Sequence, residues 1–523
     1  MLGQTCMAEG GANVALGNVD PPDNWEVHFK DTITGGAWIN NQKLVEILVR
    51  EGPERIFDLE EYGAVFDRTP EGKIAQRAFG KQSYRRTCYA SDRTGHEFMA
   101  TLTEEVRRRD IDVMEEVFVT NLLMANGRVA GAFGIDYKTS DFFLFKAKTT
   151  VLAAGGTGRI YKFTSNAAQD TGDGYAMGYR AGAGLIDMEM FQFHPTGMLI
   201  PESARGILVT EAVRGEGGVL TNKDNERFMK KYDPNLELAA RDVVARSIAT
   251  EVLEGRGTVH GGVYLSVAHI DPHIIETRLK TMLTQFLDTG VDIRKEPMEV
   301  APTAHHQMGG LRVNEEAATD LKGLWAAGEV SGGIQGGNRL GGNALLDTQV
   351  YGKRAGEYAA KYAKSNEQAS IDRKDAEKET KHIQGFLERR KGVRPVQIKT
   401  RLAELMWNKV GIFRKRDELQ EAVLEIEKIQ QDQIPQLYVT GTGTRYNREL
   451  IEALEVENMV LTAEMITRAA LMREESRGAH FRRDFPKTDN KNWLANISVR
   501  QDKGNMTFKK NPAVVTLLKP AGM

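Results

Sequence analysis

The sequence has little cysteine: Cys6 and Cys88 are the only two among its 523 residues. Two thiols cannot build a disulfide framework, and they cannot hold an iron–sulfur cluster alone, because such clusters are usually held by more thiolates than this. The ten histidines show no HExxH spacing, and there is no CxxC pair. We therefore expect a protein of the reducing cytoplasm with no metal centre of its own.

Long apolar runs and an excess of one charge are also missing. No stretch of about eighteen apolar residues occurs, and the first residues lack the sections of a signal peptide, so neither a membrane span nor a leader is predicted. The formal net charge of -2 gives no basic surface for nucleic acid. With 41% hydrophobic residues, the chain should form several globular domains. If it works at a membrane, partner subunits must hold it at the cytoplasmic face.

Glycine, by contrast, is concentrated in one segment, Gly328 to Asp347, with the sequence GEVSGGIQGGNRLGGNALLD. Seven glycines surround Glu329 and Arg339 here. The apolar run Leu321 to Ala327 precedes the segment and predicts a buried strand, and a helix is predicted to open at Asn343. Glycines at this density admit positive φ, and a helix start presents its positive end. The segment therefore predicts a site where an anionic ligand approaches the backbone closely.

A similar pattern occurs earlier in the chain. Thr149 to Ala153 reads as a short buried strand that ends in Ala154-Gly155-Gly156, and TGDG at Thr171 to Gly174 precedes a helix of small residues. A strand that runs into glycines and then a helix is typical of a nucleotide-contacting βα unit.

The remaining N-terminal elements are ordinary. Residues 40–62 and 95–109 have the apolar spacing of amphipathic helices. Two β-branched runs, Val113 to Val119 and Val129 to Tyr137, flank Asn126-Gly127 and predict a hairpin.

The segment between His194 and His305 differs in character from its surroundings. It is more charged, carries RGEGG at Arg214 to Gly218, and has a helix predicted from near Ala239 to Leu253. We interpret it as an inserted domain. Because an insertion leaves and re-enters its host at nearby points, the two histidines should lie close together, at the cleft between insert and host.

The C-terminal third is helical and charged. Residues 365–383 form a polar stretch that predicts a linker, and the spacing of Leu450, Leu454, Leu461 and Met465 predicts a bundle helix that packs one face. The tail, residues 496–523, alternates apolar and polar residues, which suits either a strand or a partner-docking arm.

Several long motifs occur in one order along the chain: HPTG, TEAVRGEGG, RDVVARSI, TAHHQMGG, GGNRLGGNALLD and SRGAHFRRDFP. With them the chain resembles, over almost its full length, the flavoprotein subunit of succinate dehydrogenase and fumarate reductase. The resemblance implies an α/β fold: a Rossmann-like FAD-binding domain (1–198 and 305–364), an inserted α+β capping domain (199–304), a helical bundle domain (384–475) and a tail (476–523).

The resemblance also implies a reaction, the interconversion of succinate and fumarate by hydride transfer at flavin N5, with electrons exchanged with an iron–sulfur subunit. Arg241 would be the proton donor or acceptor, relayed through Glu211 and Arg214. The dicarboxylate would be held by His194, Thr210, His305 and Arg339. FAD would be contacted by Thr5, Ala8, Gly10, Gly11, Asp173, Glu329, Ala344 and Leu345.

Each of these residues has a structural alternative. Arg241 can pair with Asp242 or Asp233 on a helix surface, and Glu211 with Arg214 can form a surface pair of little value. Asp173 can simply cap the helix that follows it. The two histidines can cap turns beside Pro195 and Gly309.

The chain departs from the family at three points. No GxGxxG occurs before residue 11, so we expect the FAD-binding domain to be incomplete at its N-terminus, either from truncation or from a relic that binds flavin weakly. Gln4 stands where membrane-bound members carry the histidine that attaches FAD, so we expect non-covalent flavin. Gln335 likewise replaces a frequent histidine.

Three functions stay open at this point. The first is the dehydrogenase or reductase, with a lean toward fumarate reduction because a non-covalent flavin usually has a lower potential. The second is L-aspartate oxidase, which shares the substrate clamp. The third is a flavin-free assembly or interaction subunit, which the missing nucleotide unit would favour.

Overall fold

The computed structural model describes residues 3–443 and 445–520. Up to residue 198 it contains four helices and nine strands in these segments: α1 (Trp25–Gly35), α2 (Gln42–Tyr62), α3 (Thr94–Arg108), α4 (Asp173–Ala181), β1 (Ala12–Asn13), β2 (Gln76–Arg77), β3 (Thr87–Cys88), β4 (Val117–Ala125), β5 (Arg128–Asp136), β6 (Phe142–Lys146), β7 (Thr150–Leu152), β8 (Leu185–Ile186) and β9 (Phe191–Met198). Helices α2 and α3 confirm the two amphipathic predictions.

The predicted hairpin is confirmed, with a later start. Strands β4 and β5 pair antiparallel, and the turn residues Asn126 and Gly127 both have positive φ, 51° and 72°. This is the conformation that Asn-Gly favours in a two-residue hairpin turn. The first strand begins at Val117, because Val113 and Met114 are exposed and pack against nothing that would hold them in a sheet.

The inserted segment and the return to the host follow. Residues 199–307 form α5 (Glu211–Gly215), β10 (Val219–Thr221), α6 (Arg241–Leu253), β11 (Val263–Ser266), α7 (Pro272–Arg278), α8 (Lys280–Leu287) and β12 (Met298–Gln307). The chain then forms β13 (Gly310–Arg312), β14 (Leu324–Ala326), β15 (Ser331–Gly332) and α9 (Asn343–Ser365).

The inserted segment has a core of its own. Strands β10, β11, β12 and β9 form one antiparallel sheet, and its apolar side chains pack with α6, α7 and α8 in a cluster separate from the main core. The α+β capping domain is confirmed. Strands β9 and β12, which pair with each other, carry the chain into and out of it.

The two strands that precede the glycine turns lie side by side. Strand β14 pairs in parallel with β7, with Leu324 opposite Thr150 and Ala326 opposite Leu152. Because parallel strands end at the same edge, the AAGG turn and the Gly328 turn emerge together. Strand β14 is buried as predicted, whereas Val151 in the middle of β7 is 40% exposed.

The C-terminal part contains α10 (Arg373–Glu388), α11 (Pro395–Lys409), α12 (Arg416–Lys428), α13 (Arg448–Met472), α14 (Asn490–Trp493), β16 (Ala495–Asp502) and β17 (Asn505–Pro512). The predicted linker is wrong for residues 373–383, which belong to α10. Ile383 and Phe386 of this helix lie in the main core, and the charged residues around them, which suggested a linker, form its solvated face.

Helix α13 also differs from its prediction. It is buried on most of its surface, with polar side chains such as Asn458, Thr462 and Thr467 inside as well as leucines, so it is a central helix and not one that packs a single face. In the tail the strand alternative holds up to Pro512, since β16 pairs with β17 and with β8 of the FAD-binding domain. Of the helices within the described ranges, none has the length and apolarity of a membrane span.

Candidate active site

A cavity of about 530 Å³ lies between the FAD-binding domain and the capping domain. Most of the predicted site residues line it: Thr5, Ala8, Gly10, Gly11, His194, Thr210, Glu211, Arg241, His305, Glu329, Arg339, Ala344 and Leu345. Residues far apart in the sequence therefore converge on one cavity. Of the predicted residues, Arg214 and Asp173 are not among those that line it.

The two histidines face each other across paired strands. Thr303 of β12 lies opposite His194 of β9, and the ring centroids of His194 and His305 are 5.1 Å apart. The predicted proximity is confirmed. The buried Nε2 of His194 has no hydrogen-bond partner, while Nδ1 of His305 lies 2.9 Å from the Ser165 hydroxyl. Burial, reinforced by nearby positive charge, lowers the pKa of both rings well below 6.5, so both are neutral at pH 7.

Arg241 is the first residue of α6 and pairs with Glu211, the first residue of α5. Its Nε and Nη2 donate to Glu211 Oε2 at 2.8 and 2.6 Å. Glu211 Oε1 accepts from the Gly80 amide at 3.0 Å and lies 3.8 Å from Arg214 Nη2. The surface alternatives are wrong, because Arg241, Glu211 and Arg214 are all buried and Asp242 pairs with Arg246 instead.

The charge of Glu211 is fixed by its arginines. Burial alone would raise the pKa of this carboxyl, but Arg241 and Arg214 hold it at about 2. Three buried arginines, Arg241, Arg214 and Arg339, thus share this one carboxylate nearby. The cavity keeps an excess of positive charge, which suits an anionic ligand.

Arg339 completes the cationic wall from the glycine-rich loop. Its Nη2 donates to Gln192 Oε1 at 3.1 Å, and its buried Nε has no partner. Burial, followed by repulsion from Arg241, lowers the pKa of Arg339 to about 9. Gln192 Oε1 also accepts from Arg241 Nη1 at 3.2 Å. Our sequence reasoning missed Gln192, although a strand places residues two apart on one face and so puts it beside His194.

The opposite wall fits a nucleotide. The start of α9 points into the cavity through Ala344 and Leu345, and Gly342 before it has a φ of 89°. Gly95 at the start of α3 donates its amide to Ala8 O at 2.7 Å, and a Cβ on it would lie 1.9 Å from Thr5 O. Only glycine therefore lets α3 approach the turn that contains Thr5 and Ala8. Buried carboxylate oxygens of Asp170 and Asp347, both lining residues, lack partners.

Asp173 and Glu329 differ from their predicted roles in detail. The Asp173 carboxylate accepts from Thr171 Oγ1 at 2.7 Å and from Asn458 Nδ2 at 2.6 Å, so it ties the FAD-binding domain to α13. Asp170, just before the TGDG motif, is the acid that faces the cavity. Glu329 lines the cavity, but its carboxylate accepts from the Gln307 amide at 2.9 Å and pairs with His306 at 3.2 Å.

The two glutamines at the family's histidine positions are both anchored. Gln4 lines the cavity, and its Oε1 accepts from the Ala167 amide at 2.8 Å. Gln335 donates through Nε2 to Asp347 Oδ2 at 2.9 Å. Within residues 3–443 and 445–520, no group of three or more His, Cys, Asp or Glu side chains is placed to hold a metal ion.

The buried acid Asp347 leads to a stability prediction. Burial raises its pKa to about 7, so folded protein keeps a proton that the unfolded chain releases near pH 4. Its contribution is full below about pH 4 and is lost as the pH rises through about 7. We expect Asp347→Asn to raise the Tm of flavin-free protein at pH 8 by about 5 °C relative to wild type, and to change it little at pH 4.

Thermal melts at the two pH values check this, with the exposed Asp432→Asn as the matched control. An equal drop in Tm at both pH values would show that the carboxyl is a structural acceptor and would contradict the prediction.

The comparisons with known proteins agree with this geometry. The model of the FAD binding domain matches residues 1–345, and that of the fumarate reductase flavoprotein C-terminus matches residues 399–522. The chain is 57% identical to one subunit of the fumarate reductase (CoM/CoB) of Methanothermobacter marburgensis, over 93% of this chain and 88% of that protein. It is 37% identical to the mitochondrial succinate dehydrogenase [ubiquinone] flavoprotein subunit of Oryza sativa, over 94% and 81%.

Among solved structures, E. coli quinol fumarate reductase FrdA superposes with a TM-score of 0.93 at 32% identity, over 99% of this chain and 91% of that one. Sdh1 of Mycobacterium smegmatis superposes with a TM-score of 0.87 at 41% identity, over 99% and 89%. The arrangement of FAD-binding, capping and helical domains predicted from the sequence is thus confirmed. The chain is an FAD-binding oxidoreductase and belongs to the family of flavoprotein subunits of succinate dehydrogenase and fumarate reductase.

Proposed function

We propose that this protein reduces fumarate to succinate as the flavoprotein subunit of a larger enzyme, with electrons delivered by an iron–sulfur partner subunit. The observation that carries the proposal is the convergence of His194, His305, Arg241 and Arg339 on one cavity next to the flavin-side wall. When bound, FAD supplies hydride exchange with the dicarboxylate carbon. We place the enzyme in the cytoplasm, where partner subunits would hold it if it works at a membrane.

The substrate is a dianion, and the cavity is built to take one from water. Arg339 Nε and His194 Nε2 are buried without partners, so a carboxylate that reached them would satisfy both. Charge-assisted bonds of this kind are about twice as strong as neutral ones. We assign one substrate carboxylate to Arg339 and the other to the histidines and Thr210. Clamping both ends holds the alkene in one orientation.

Arg241 is positioned to move the proton. A guanidinium is a poor acid in water, but it can protonate a carbon on which negative charge develops in a dry cavity. Glu211, anionic and bound to two of its nitrogens, can return the proton, and Arg214 lies on the far side of Glu211. Thus Arg241 faces the substrate, and the other two residues lead away from it.

Gln4 leads to a prediction about flavin attachment. Its amide cannot form the histidine linkage, and the side chain is already held by the Ala167 amide. We expect acid precipitation of the purified holoenzyme to release at least about nine-tenths of the flavin into the supernatant, because only non-covalent contacts hold it. The flavin is quantified by absorbance in both fractions. A pellet that stays yellow after washing would contradict the prediction.

The direction and the electron source rest on a relative. The 57% identical protein is named as part of a fumarate reductase that uses CoM and CoB, and we propose thiols of this kind as the ultimate reductant, acting through the iron–sulfur partner.

The test is a pair of dye assays on the purified holoenzyme. We expect fumarate to reoxidise reduced viologen dye faster than succinate reduces an oxidising dye. Equal or reversed rates would favour the dehydrogenase direction. Peroxide release from L-aspartate would identify an oxidase, and a chain purified without flavin absorbance would leave the assembly role.

A further inference from the structure

Asn338 and Asp242 join the two domains directly behind the substrate arginines. Asn338 precedes Arg339 in the FAD-binding domain, and Asp242 follows Arg241 in the capping domain. The Asn338 Nδ2 donates to Asp242 Oδ1 at 2.7 Å. We propose, on the basis of the function proposed above, that this pair is an interdomain clasp that positions Arg241 against Arg339 for proton delivery.

The clasp closes a ring of side chains. Asn338 Oδ1 accepts from Gln192 Nε2 at 2.7 Å, while Gln192 Oε1 accepts from Arg241 Nη1 at 3.2 Å and from Arg339 Nη2 at 3.1 Å. Asn338 thus uses its acceptor toward the arginines and its donor toward the capping domain. Its side chain is buried, so both bonds are shielded from water.

Repulsion explains why such a clasp is needed. Two guanidinium groups donate to the same amide oxygen, and like charges this close in a buried site push each other apart. Arg241 moves with α6 and Arg339 with the glycine-rich loop, so without a brace the capping domain would relieve the repulsion by moving away. A bond between the residues adjacent to the two arginines opposes that movement at its origin.

Both sides of the clasp are anchored to one loop of the C-terminal segment. Asp242 Oδ2 accepts from Arg246 Nη2 at 2.8 Å, and Arg246 Nη1 donates to Gly478 O at 3.0 Å. On the other side, the Ala479 amide donates to Gly337 O at 2.8 Å. The SRGAH motif therefore fixes the clasp from behind, which gives this motif a role that its sequence alone does not reveal.

Asn338 and Asp242 are positioning residues. Neither is among the residues that line the cavity, so neither touches the substrate. Their effect should therefore fall on the proton step, which requires Arg241 in place, and much less on the binding of a dicarboxylate by the residues of the FAD-binding domain.

A reciprocal exchange tests the clasp in the holoenzyme. N338D sets two carboxylates against each other, and we expect kcat to fall about 50-fold while the Kd for malonate, used as an unreactive dicarboxylate, changes less than about threefold. D242N should lower kcat about tenfold. The double variant N338D/D242N keeps one donor, one acceptor and the original charge across the clasp, and we expect kcat within about fivefold of wild type.

The exposed Asn225→Asp makes the same chemical change elsewhere in the capping domain and should leave kcat unchanged. A double variant no better than N338D, or single variants with wild-type kcat, would overturn the clasp. If wild type turns over neither fumarate nor succinate, the proposed function fails. The clasp is then judged from Tm, where the two substitutions should be non-additive, with the double variant melting above N338D; additive losses would overturn it.

Discussion

Replacing Arg241 with lysine is expected to lower kcat about a thousandfold. Arg241 donates through two nitrogens to Glu211 and through a third to Gln192, and a single ammonium cannot make these contacts and face the substrate as well. The loss matches the share of catalysis that a positioned general acid usually supplies. Steady-state turnover of fumarate by the holoenzyme measures it.

Two controls separate chemistry from folding. The Arg278→Lys variant changes an exposed arginine of the same domain and should keep wild-type kcat. The Arg241→Lys protein should keep its flavin absorbance and bind malonate within about tenfold of wild type, because the residues of the FAD-binding domain still hold the dicarboxylate. Turnover within tenfold of wild type would remove Arg241 from the proton step.

The second large effect is expected at Arg339. Arg339→Gln should raise the KM for fumarate about a hundredfold or more, because the variant loses a buried charge-assisted contact to a carboxylate, typically worth about 2–5 kcal/mol. The same change should leave Tm unchanged or raise it by a few degrees. The arginine is buried beside Arg241, and removing it relieves a repulsion that the flavin-free protein does not otherwise balance.

Kinetics, malonate titration and thermal melts together check this prediction. Arg312→Gln, an exposed position on β13, is the matched control and should alter neither KM nor Tm. A KM within threefold of wild type would show that the dianion is held elsewhere. A large drop in Tm would show that Arg339 is part of the scaffold.

The sequence located the site well because its residues sit in motifs of distinctive composition. His194 and His305 bracket an insertion, and insertion geometry alone predicted that they meet, as their 5.1 Å separation shows. The glycine-rich segment predicted a close approach of ligand to backbone, and its loop and the start of α9 do line the cavity. These signals are local, and local signals are readable without a structure.

What sequence reasoning missed depends on contacts between distant segments. Gln192 and Asn338 are ordinary polar residues, and they acquire meaning only because a hydrogen bond joins them across 146 positions. Asp170 and Asp347 could not be told from other acids until burial singled them out. Helix α10 was mistaken for a linker for the same reason, since two buried side chains among many charges give a weak periodic signal.

The division of the site between its two bodies has a kinetic consequence. His194, His305 and Arg339 lie on strands and loops continuous with the FAD-binding domain, whereas Thr210, Glu211, Arg214 and Arg241 lie on the inserted one. Because β9 and β12 carry the chain from one domain to the other, a swing of the insert about these strands would withdraw the proton carriers and leave the histidines in place. Capture of the dicarboxylate and commitment to reaction can then occur as separate events, each tuned by residues of a different domain.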